Sequence, residues 1–223
     1  MTTSCCLFGD SIASGIILDK TRNKYLFLKD WLKKLGSELK IANYARFGCT
    51  ITRGRDIIKK HLDTLKDYEY TVLEFGGNDC DFDWAAIAQN PNASHRAKTP
   101  VTQFMQNYSE IIDEVKSHNG QPLLVTLPPI DSQKYFNWVS QGLNADNILI
   151  FLGEKQEIYR WHEMYNNSIL ELAKIHSVPL IDIRSEFLST KNFSEYLCED
   201  GIHPNAAGYS LIEATVDKYV KKN

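Results

Sequence analysis

The sequence lacks any apolar run long enough to cross a membrane, a length of roughly 18 residues. It also lacks an excess of charge of one sign: the 223 residues carry a formal net charge of −3, and acidic and basic side chains are interspersed. These absences argue against integral membrane association and against a surface built to bind nucleic acid or anionic lipid.

The cysteines and glycines are not grouped in the way that a metal site or a phosphate-binding loop requires. The five cysteines are odd in number and show no C-x-x-C pairing, which favours free thiols over a metal centre or a disulfide framework. Two of them, Cys49 and Cys80, are expected to border the site described below. Only Gly9 and Gly15 follow the first strand, so no glycine-rich phosphate cradle is present. We expect an activity that needs neither a metal ion nor a cofactor.

What is present is the composition of an ordinary soluble domain, with 43% apolar and 24% charged residues. This length suffices for one α/β domain with a buried core, and residues 1–223 are interpreted as a single domain. The first strand begins near Ser4 and leaves no room for a cleavable leader, so a cytoplasmic location is expected.

Strand-like runs alternate with amphipathic helical patterns, which predicts a parallel sheet covered on both faces. The predicted strands are 4–8, 40–45, 70–75, 122–127 and 178–183. Helical spacing follows 28–39, 51–65, 101–115, 157–176 and 211–219. The periodicity lapses over 80–100 and 130–155, which are predicted to be irregular apart from a short helix around 84–88. A loop is predicted between the fifth strand and Asp200.

Ser11 is the first residue that suggests chemistry. The first predicted strand stops at Gly9, where glycine permits a sharp turn, and Ser11 follows at the carboxyl end of the strand. Open α/β sheets bind their ligands at that end. Gly48, Asn78 and His203 follow later predicted strands. Because parallel strands share one carboxyl edge, we expect these four residues to converge.

These residue types suit acyl transfer, with Ser11 as the nucleophile and His203 as its base. Pro204 starts a predicted helix, whose positive end favours a neutral imidazole that can accept a proton. Asp200, three residues before His203, can accept from the other ring nitrogen and hold the tautomer. Asp182, at the end of the fifth predicted strand, competes for this acid role.

Three groups are candidates for stabilising the developing oxyanion: the backbone N–H groups of Ser11 and Gly48 and the side-chain amide of Asn78. Asp10 and Asp79 are predicted to cap the neighbouring turns by accepting backbone N–H groups. Both lie close enough to the proposed site in sequence to be candidate substrate contacts as well.

Aromatic residues of the two irregular segments are candidates for the pocket wall: Phe82, Trp84, Tyr135, Phe136 and Trp138. They could stack on a sugar ring or line an acyl slot, and they could equally fill small cores within their own loops. The remaining histidines are predicted to have surface or packing roles: His61, His95, His118, His162 and His176.

Four segments resemble the four motif blocks of the SGNH hydrolases, also called GDSL esterases. They are Gly9-Asp10-Ser11-Ile12, residues 43–48, Gly76-Gly77-Asn78-Asp79 and Asp200-Gly201-Ile202-His203-Pro204-Asn205. Ile12 replaces the Leu of the name-giving block, a change that affects core packing only. The resemblance spans almost the whole chain. It implies a Ser11-His203-Asp200 triad, oxyanion donors at Ser11, Gly48 and Asn78, and a flavodoxin-like three-layer α/β/α sandwich with strand order 2-1-3-4-5.

The expected function is hydrolysis of a small-molecule ester through an acyl-enzyme. Removal of small acyl groups, above all acetyl from a carbohydrate, is favoured because the aromatic loops suit a sugar and no long apolar lid is visible. The alternatives are a lysophospholipase or thioesterase acting on longer chains, and a non-catalytic α/β ligand-binding module. No oligomeric state is predicted.

Overall fold

The computed structural model describes residues 3–28, 31–32 and 39–222. The strands are β1 (Thr3–Gly9), β2 (Ile16–Asp19), β3 (Lys24–Phe27), β4 (Leu39–Asn43), β5 (Tyr70–Glu74), β6 (Pro122–Val125) and β7 (Leu180–Ile181). The α-helices are α1 (Ile51–Ile58), α2 (Trp84–Gln89), α3 (Val101–Ser117), α4 (Ser132–Val139), α5 (Ala145–Leu152), α6 (Glu157–Ile175), α7 (Ile183–Leu188) and α8 (Ala206–Lys222). Two 3₁₀ helices span Leu62–Asp67 and Phe193–Tyr196.

Five strands form one parallel sheet in the order β4-β1-β5-β6-β7. Numbered by the five predicted strands, this order is 2-1-3-4-5, so the expected topology is confirmed. Cys5 of β1 lies opposite Ile41 of β4 on one side and Tyr70 of β5 on the other. Because the strands are parallel, the loops that follow β1, β4 and β5 leave the sheet along one edge.

Alternating side chains divide the core into two layers on either side of the sheet. Phe8 and Leu124 face α1, α3 and α6, whereas Leu123 and Val125 face α7 and α8. Leu124 has no solvent exposure. Burying one such side chain contributes about 1.5–3 kcal/mol, so the two layers anchor the sheet and with it the edge that carries the loops.

The segment 130–155, predicted to be irregular, contains α4 and α5, and that prediction was wrong. Each helix starts at a side-chain cap: Asp131 accepts from the backbone N–H of Lys134, and Asn144 accepts from that of Asn147. Helices of eight residues are too short to produce a long periodic pattern. Together with α2, which lies in the segment predicted for a short helix, they form a small apolar core; we call α2, α4 and α5 the helical cap.

Other predicted elements differ in extent. β2 and β3 form an antiparallel hairpin that was not predicted, and the fifth sheet strand is only two residues long. The predicted helix 51–65 is divided into α1 and a 3₁₀ helix, and the loop before Asp200 contains α7 and the second 3₁₀ helix. Most of the predicted helix 28–39 lies outside the described residues. Among the helices described, none combines the length and apolar character needed to cross a bilayer.

Candidate active site

Ser11, His203 and Asp200 form a hydrogen-bonded series at the carboxyl edge of the sheet. His203 Nε2 lies 2.9 Å from Ser11 Oγ, across 192 residues of sequence, and His203 Nδ1 lies 2.7 Å from Asp200 Oδ2. All three residues are buried. The hydroxyl of Tyr209, on α8, donates to the carbonyl of Ile16 at 2.9 Å and so ties the helix that follows His203 to the segment that follows Ser11.

The Asp200 carboxylate is held by three groups of its own turn. Its Oδ1 accepts the backbone N–H groups of Ile202 and His203 at 3.0 and 3.1 Å, while Oδ2 faces the imidazole. Burial by itself would raise the pKa of Asp200, but the hydrogen bond and charge of His203 and the two backbone N–H groups lower it below its usual value. An ionised carboxylate therefore accepts from Nδ1–H and leaves Nε2 able to take a proton from Ser11.

Asp182, the competing acid, does not approach this series. Its carboxylate caps α7 by accepting the backbone N–H of Ser185 at 3.0 Å, and the hydroxyl of Thr126 donates to it at 3.1 Å. Asp182 therefore has a structural role at the end of the sheet.

Asp10 connects the loop after β1 to the loop after β5. Its Oδ1 accepts the backbone N–H of Ile12 at 2.9 Å, the turn cap that the sequence predicts, and its Oδ2 accepts the Asn78 side-chain amide at 2.9 Å. One of the two amide hydrogens of Asn78 is thus used to orient the group. Asn78 lines the cavity beside Ser11, so the second hydrogen is available to a ligand there.

Glu74 lies beneath Asp10 and was not identified from the sequence. Its Oε2 accepts the backbone N–H groups of Ala13 and Asp10 at 3.3 and 3.5 Å, and its Oε1 has no hydrogen-bond partner among the described residues. Burial, followed by the negative charge of Asp10, raises the pKa of Glu74 well above its usual value. We interpret Glu74 as a neutral acid supporting the turn that carries Ser11. The sequence signal that could have identified Glu74 is a single acidic residue within an otherwise apolar strand.

Gly48 lies in the turn after β4 with φ of +67°, a conformation that favours glycine. Among the described residues, and apart from its two chain neighbours, no atom lies within 4 Å of the position that a Cβ would occupy, so this side of the turn is open. The backbone N–H of Arg46 donates to the carbonyl of Gly9 at 3.0 Å and anchors the turn beside the end of β1. Gly48 itself does not line the cavity.

Asp79 fixes the loop after β4 to the loop after β5. Both of its carboxylate oxygens accept the backbone N–H of Ile51, at 3.0 and 3.1 Å, where α1 begins. Burial raises the pKa of Asp79 to about 7, although the Thr99 hydroxyl and the Ile51 N–H act in the opposite direction. Asp79 has no solvent exposure and does not line the cavity. It caps a backbone N–H as predicted, but it is not placed to contact substrate.

A cavity of about 480 Å³ lies beside Ser11, Asn78 and His203, within the range of about 300–1,000 Å³ usual for small-molecule sites. The loops on either side of α2, the start of α3, the helical cap and α6 supply its far wall. Of the aromatic residues predicted for the wall, Phe82, Trp84 and Tyr135 line the cavity. Phe136 is buried in the core of the helical cap instead, and Trp138 is outside the lining.

The aromatic side chains in this wall have their polar atoms already bonded. Trp84 Nε1–H and the Tyr135 hydroxyl both donate to Asp81 Oδ1, at 2.8 and 2.5 Å. Trp161 Nε1–H donates to the carbonyl of Cys80 at 3.0 Å. These bonds leave the ring faces, rather than hydrogen-bonding groups, as the surface offered to a ligand.

A second group of aromatic rings surrounds His203 outside the cavity. The ring centroid of Tyr25, on the hairpin, lies 4.9 Å from that of His203, and the Phe47 ring lies nearly parallel to the imidazole at 6.2 Å. Trp138 packs against Tyr25 at 6.2 Å. Sequence reasoning missed Tyr25 and Phe47, because the hairpin that carries Tyr25 was not predicted and Phe47 lies in the turn after β4.

The two cysteines that border the site are both buried free thiols. Burial raises the pKa of Cys49 to about 11 and that of Cys80 well above its usual value. Neither is therefore present as a reactive thiolate near neutral pH.

Comparison with known proteins identifies relatives across nearly the whole length. Residues 7–211 match the GDSL-like Lipase/Acylhydrolase family. The uncharacterized protein YpmR of Bacillus subtilis is 25% identical over 192 residues, a match that covers 82% of this chain; the chain spans 66% of the length of that curated relative. Two solved structures share the fold at low identity. The lipase/acylhydrolase from Enterococcus faecalis matches with a TM-score of 0.67 and 23% identity, covering 99% of this chain and 96% of that one.

The second structure is an Axe2 mutant described as an acetyl-xylooligosaccharide esterase from Geobacillus stearmophilus, with a TM-score of 0.68 and 13% identity, covering 98% of this chain and 94% of that one. The family match includes the loops that carry Ser11, Gly48, Asn78 and His203. On that match, this chain belongs to the GDSL-like lipase/acylhydrolase family.

Proposed function

We propose that this protein is a serine ester hydrolase. The observation that carries the proposal is the series Asp200–His203–Ser11, with its distances of 2.7 and 2.9 Å, opening onto the cavity. His203 takes the hydroxyl proton as Ser11 Oγ attacks the ester carbonyl, and it returns that proton to the departing alcohol. Water, activated by the same imidazole, then attacks the acyl-serine and releases the acid.

The oxyanion of the tetrahedral intermediate is stabilised by the backbone N–H groups of Ser11 and Gly48 and by the Asn78 amide. In the described part of the chain, no protein acceptor is hydrogen-bonded to either backbone N–H. Asp10 holds the Asn78 amide in place before substrate arrives, and donors fixed in advance lose no free energy to reorganisation during the reaction.

The acyl group occupies the cavity. Because the aromatic wall presents ring faces whose polar atoms are already bonded, it favours an acyl chain of several carbons over a group that must hydrogen-bond. The longer-chain alternative is thus better supported than acetyl removal from a carbohydrate. Acetyl–carbohydrate hydrolysis remains the second candidate, because ring faces such as that of Phe82 can also stack on a sugar.

Two measurements test this proposal. A fluorophosphonate should label the folded protein at Ser11, and Ser11→Ala should abolish labelling and lower kcat on p-nitrophenyl esters at least about 10⁴-fold. The matched control is Ser14→Ala, in the same turn, whose hydroxyl bonds only the Asp10 carbonyl; it should retain activity. Preference for octanoate over acetate supports the acyl cavity, and the reverse supports the acetyl candidate. A folded protein that neither labels nor turns over any ester contradicts the enzyme and favours a binding module.

A further inference from the structure

Arg96 is a cation in the cavity lining that has no partner within the described part of the protein. It lies in the segment between α2 and α3 and is exposed to solvent. No oxygen of the described residues accepts a hydrogen bond from its guanidinium, and no carboxylate among them pairs with it. A guanidinium presents its N–H donors in a fixed fork that matches an oxyanion. The side chain is thus free to bind an anion that enters the cavity.

The two carboxylates of the lining that solvent reaches already have cationic partners. Asp81 pairs with the Lys98 ammonium at 2.7 Å. Glu157 accepts from Nε–H of Arg160 at 3.0 Å. Neither carboxylate pairs with Arg96, so the positive charge of Arg96 is not compensated by the wall around it.

The other histidines and arginines near the cavity, outside the catalytic series, do not offer a free charge. His95 is hydrogen-bonded through Nε2 to a backbone carbonyl at 2.7 Å. His162 is 4% exposed, and the ring nitrogen that lacks a partner is itself buried and closed to a ligand. Arg184 does not line the cavity; it pairs with Glu163, and its unpartnered Nε is equally buried. In the described lining, Arg96 is therefore the position where a charged ligand meets an accessible, unoccupied charge.

Two backbone hydrogen bonds show where Arg96 lies along the cavity. The N–H groups of Lys98 and Thr99 donate to the carbonyls of Asp81 and Asp79, at 2.8 and 3.0 Å. Because the residue numbers rise on one segment as they fall on the other, the two segments run in opposite directions. Arg96 therefore lies beyond Asp81, on the side away from the oxyanion donors.

The part of the cavity next to Arg96 is aromatic. The ring of the preceding residue, His95, lies 5.4 Å from that of Phe151, and the Phe151 ring lies 5.4 Å from that of Phe82. Phe82 follows the oxyanion donor Asn78 by four residues, a stretch of chain that spans at most about 14 Å. An acyl chain of several carbons that starts at the nucleophile and lies along these rings thus ends beside Arg96.

We propose that Arg96 binds a carboxylate at the far end of the acyl chain, and that the substrates are dicarboxylic acids esterified at one end. The methylenes lie against the ring faces, and the guanidinium forms two parallel hydrogen bonds with the carboxylate. Because Arg96 is exposed, the carboxylate keeps part of its hydration. An anion close to Ser11 would instead lie beside the carboxyl group of Asp10. This inference rests on the proposed ester hydrolysis and specifies its substrate class.

The test compares monoethyl esters of adipic and suberic acids with the ω-carboxamides of the same chain length, followed by ethanol release. In the wild-type protein, the carboxylate should raise kcat/KM about fivefold at the better length, a modest gain for a charged hydrogen bond because Arg96 is exposed. Arg96→Gln should bring this ratio to one or below, and Arg96→Lys, which keeps the charge, should retain part of it. Raising the salt from about 0.01 to 1 M shortens the Debye length from about 30 to 3 Å and should reduce the wild-type ratio.

The matched control is Arg53→Gln. It removes the same charge from an exposed position of α1 outside the lining, so the wild-type ratio should be retained. Arg96→Gln should keep the wild-type melting temperature, because an exposed side chain without a partner contributes little to stability. A ratio near one in the wild-type protein, or an unchanged ratio in Arg96→Gln, overturns the proposal. A dependence on Arg96 that occurs only when the anion is on the alcohol, as in octanoyl glycerol phosphate, overturns it as well.

Binding gives the same comparison without turnover. Monoethyl suberate and its carboxamide can be titrated into the Ser11→Ala protein, with and without Arg96→Gln, by calorimetry. Tighter binding of the carboxylate that is lost in Arg96→Gln supports the anion site even if no ester is hydrolysed, and equal binding of both compounds overturns it. Failure of the catalytic proposal is thus distinguishable from failure of the anion site.

Discussion

The two sides of the cavity are held in place by different forces. At the sheet edge, His203 is hydrogen-bonded at both ring nitrogens. Across the cavity, Phe82 is held by apolar packing, with the ring centroids of Trp84, Phe151 and Trp161 at 5.4–5.6 Å. Hydrogen bonds weaken steeply with distance and angle, whereas apolar packing tolerates substitutions of similar volume. The comparison suggests that the sheet edge fixes the chemistry and the opposite wall sets the substrate.

A change at the sheet edge should have the larger effect on rate. Asp200→Asn removes the negative charge behind His203 and favours the wrong imidazole tautomer, and kcat should fall about 10⁴-fold on every ester. Steady-state kinetics across acyl chain lengths measures this, and the preference among esters should be unchanged. The matched control is Asp182→Asn at the start of α7, which should retain the wild-type rate. Loss of activity in the control but not in Asp200→Asn would reverse the assignment.

A change in the aromatic wall should alter the preference among esters instead. Phe82→Ala removes a ring of the cavity wall, where the proposed function places the acyl chain, and each buried methylene is worth about 0.8 kcal/mol. If two methylenes lose their contacts, kcat/KM on octanoate should fall roughly tenfold while acetate is unaffected. Phe47→Ala, an exposed ring outside the cavity, serves as the control and should keep the wild-type ratio. Equal losses on both esters in Phe82→Ala would contradict the division of roles.

The smallest effect on rate, but a clear effect on stability, is expected for Asp79→Asn. The carboxyl ionises near pH 3.8 when unfolded and near pH 7 when folded. Its contribution to the free energy of unfolding is therefore complete below about pH 4 and decreases as the pH rises to about 7, by about 1.4 kcal/mol per pH unit. Urea unfolding between pH 4 and 8 should show a steeper decrease in the wild-type protein than in the variant, in which Glu74 still titrates with a raised pKa. Parallel curves for the two proteins would show that Asp79 titrates normally.

Much of the site could be predicted because its residues directly follow strands. Ser11, Asn78 and His203 are short-range signals: each follows a strand or starts a helix, and parallel strands bring such positions to one edge. The Ser11–His203–Asp200 series could therefore be predicted without knowing how the helices pack on the sheet. The prediction of Asp200 over Asp182 depended only on the local turn that brings a carboxylate to the imidazole three residues later.

The cavity could not be predicted in the same way. α4 and α5 are short, and whether Phe136 or Tyr135 faces the cavity depends on how these helices pack on α2 and α6. The same holds for Glu74, whose neutral state arises from its burial beneath Asp10. None of these environments is local in sequence.

The amino-acid sequence alone indicated a parallel sheet and the residues at its carboxyl edge, because hydrophobic periodicity and turn residues act over a few positions. The order of the strands came from the resemblance of the four motif segments to a known family. Tertiary structure alone decided which side chains enclose the cavity and why Asp79 does not line it. Those properties depend on solvent exclusion and on contacts between distant segments, which no local pattern records.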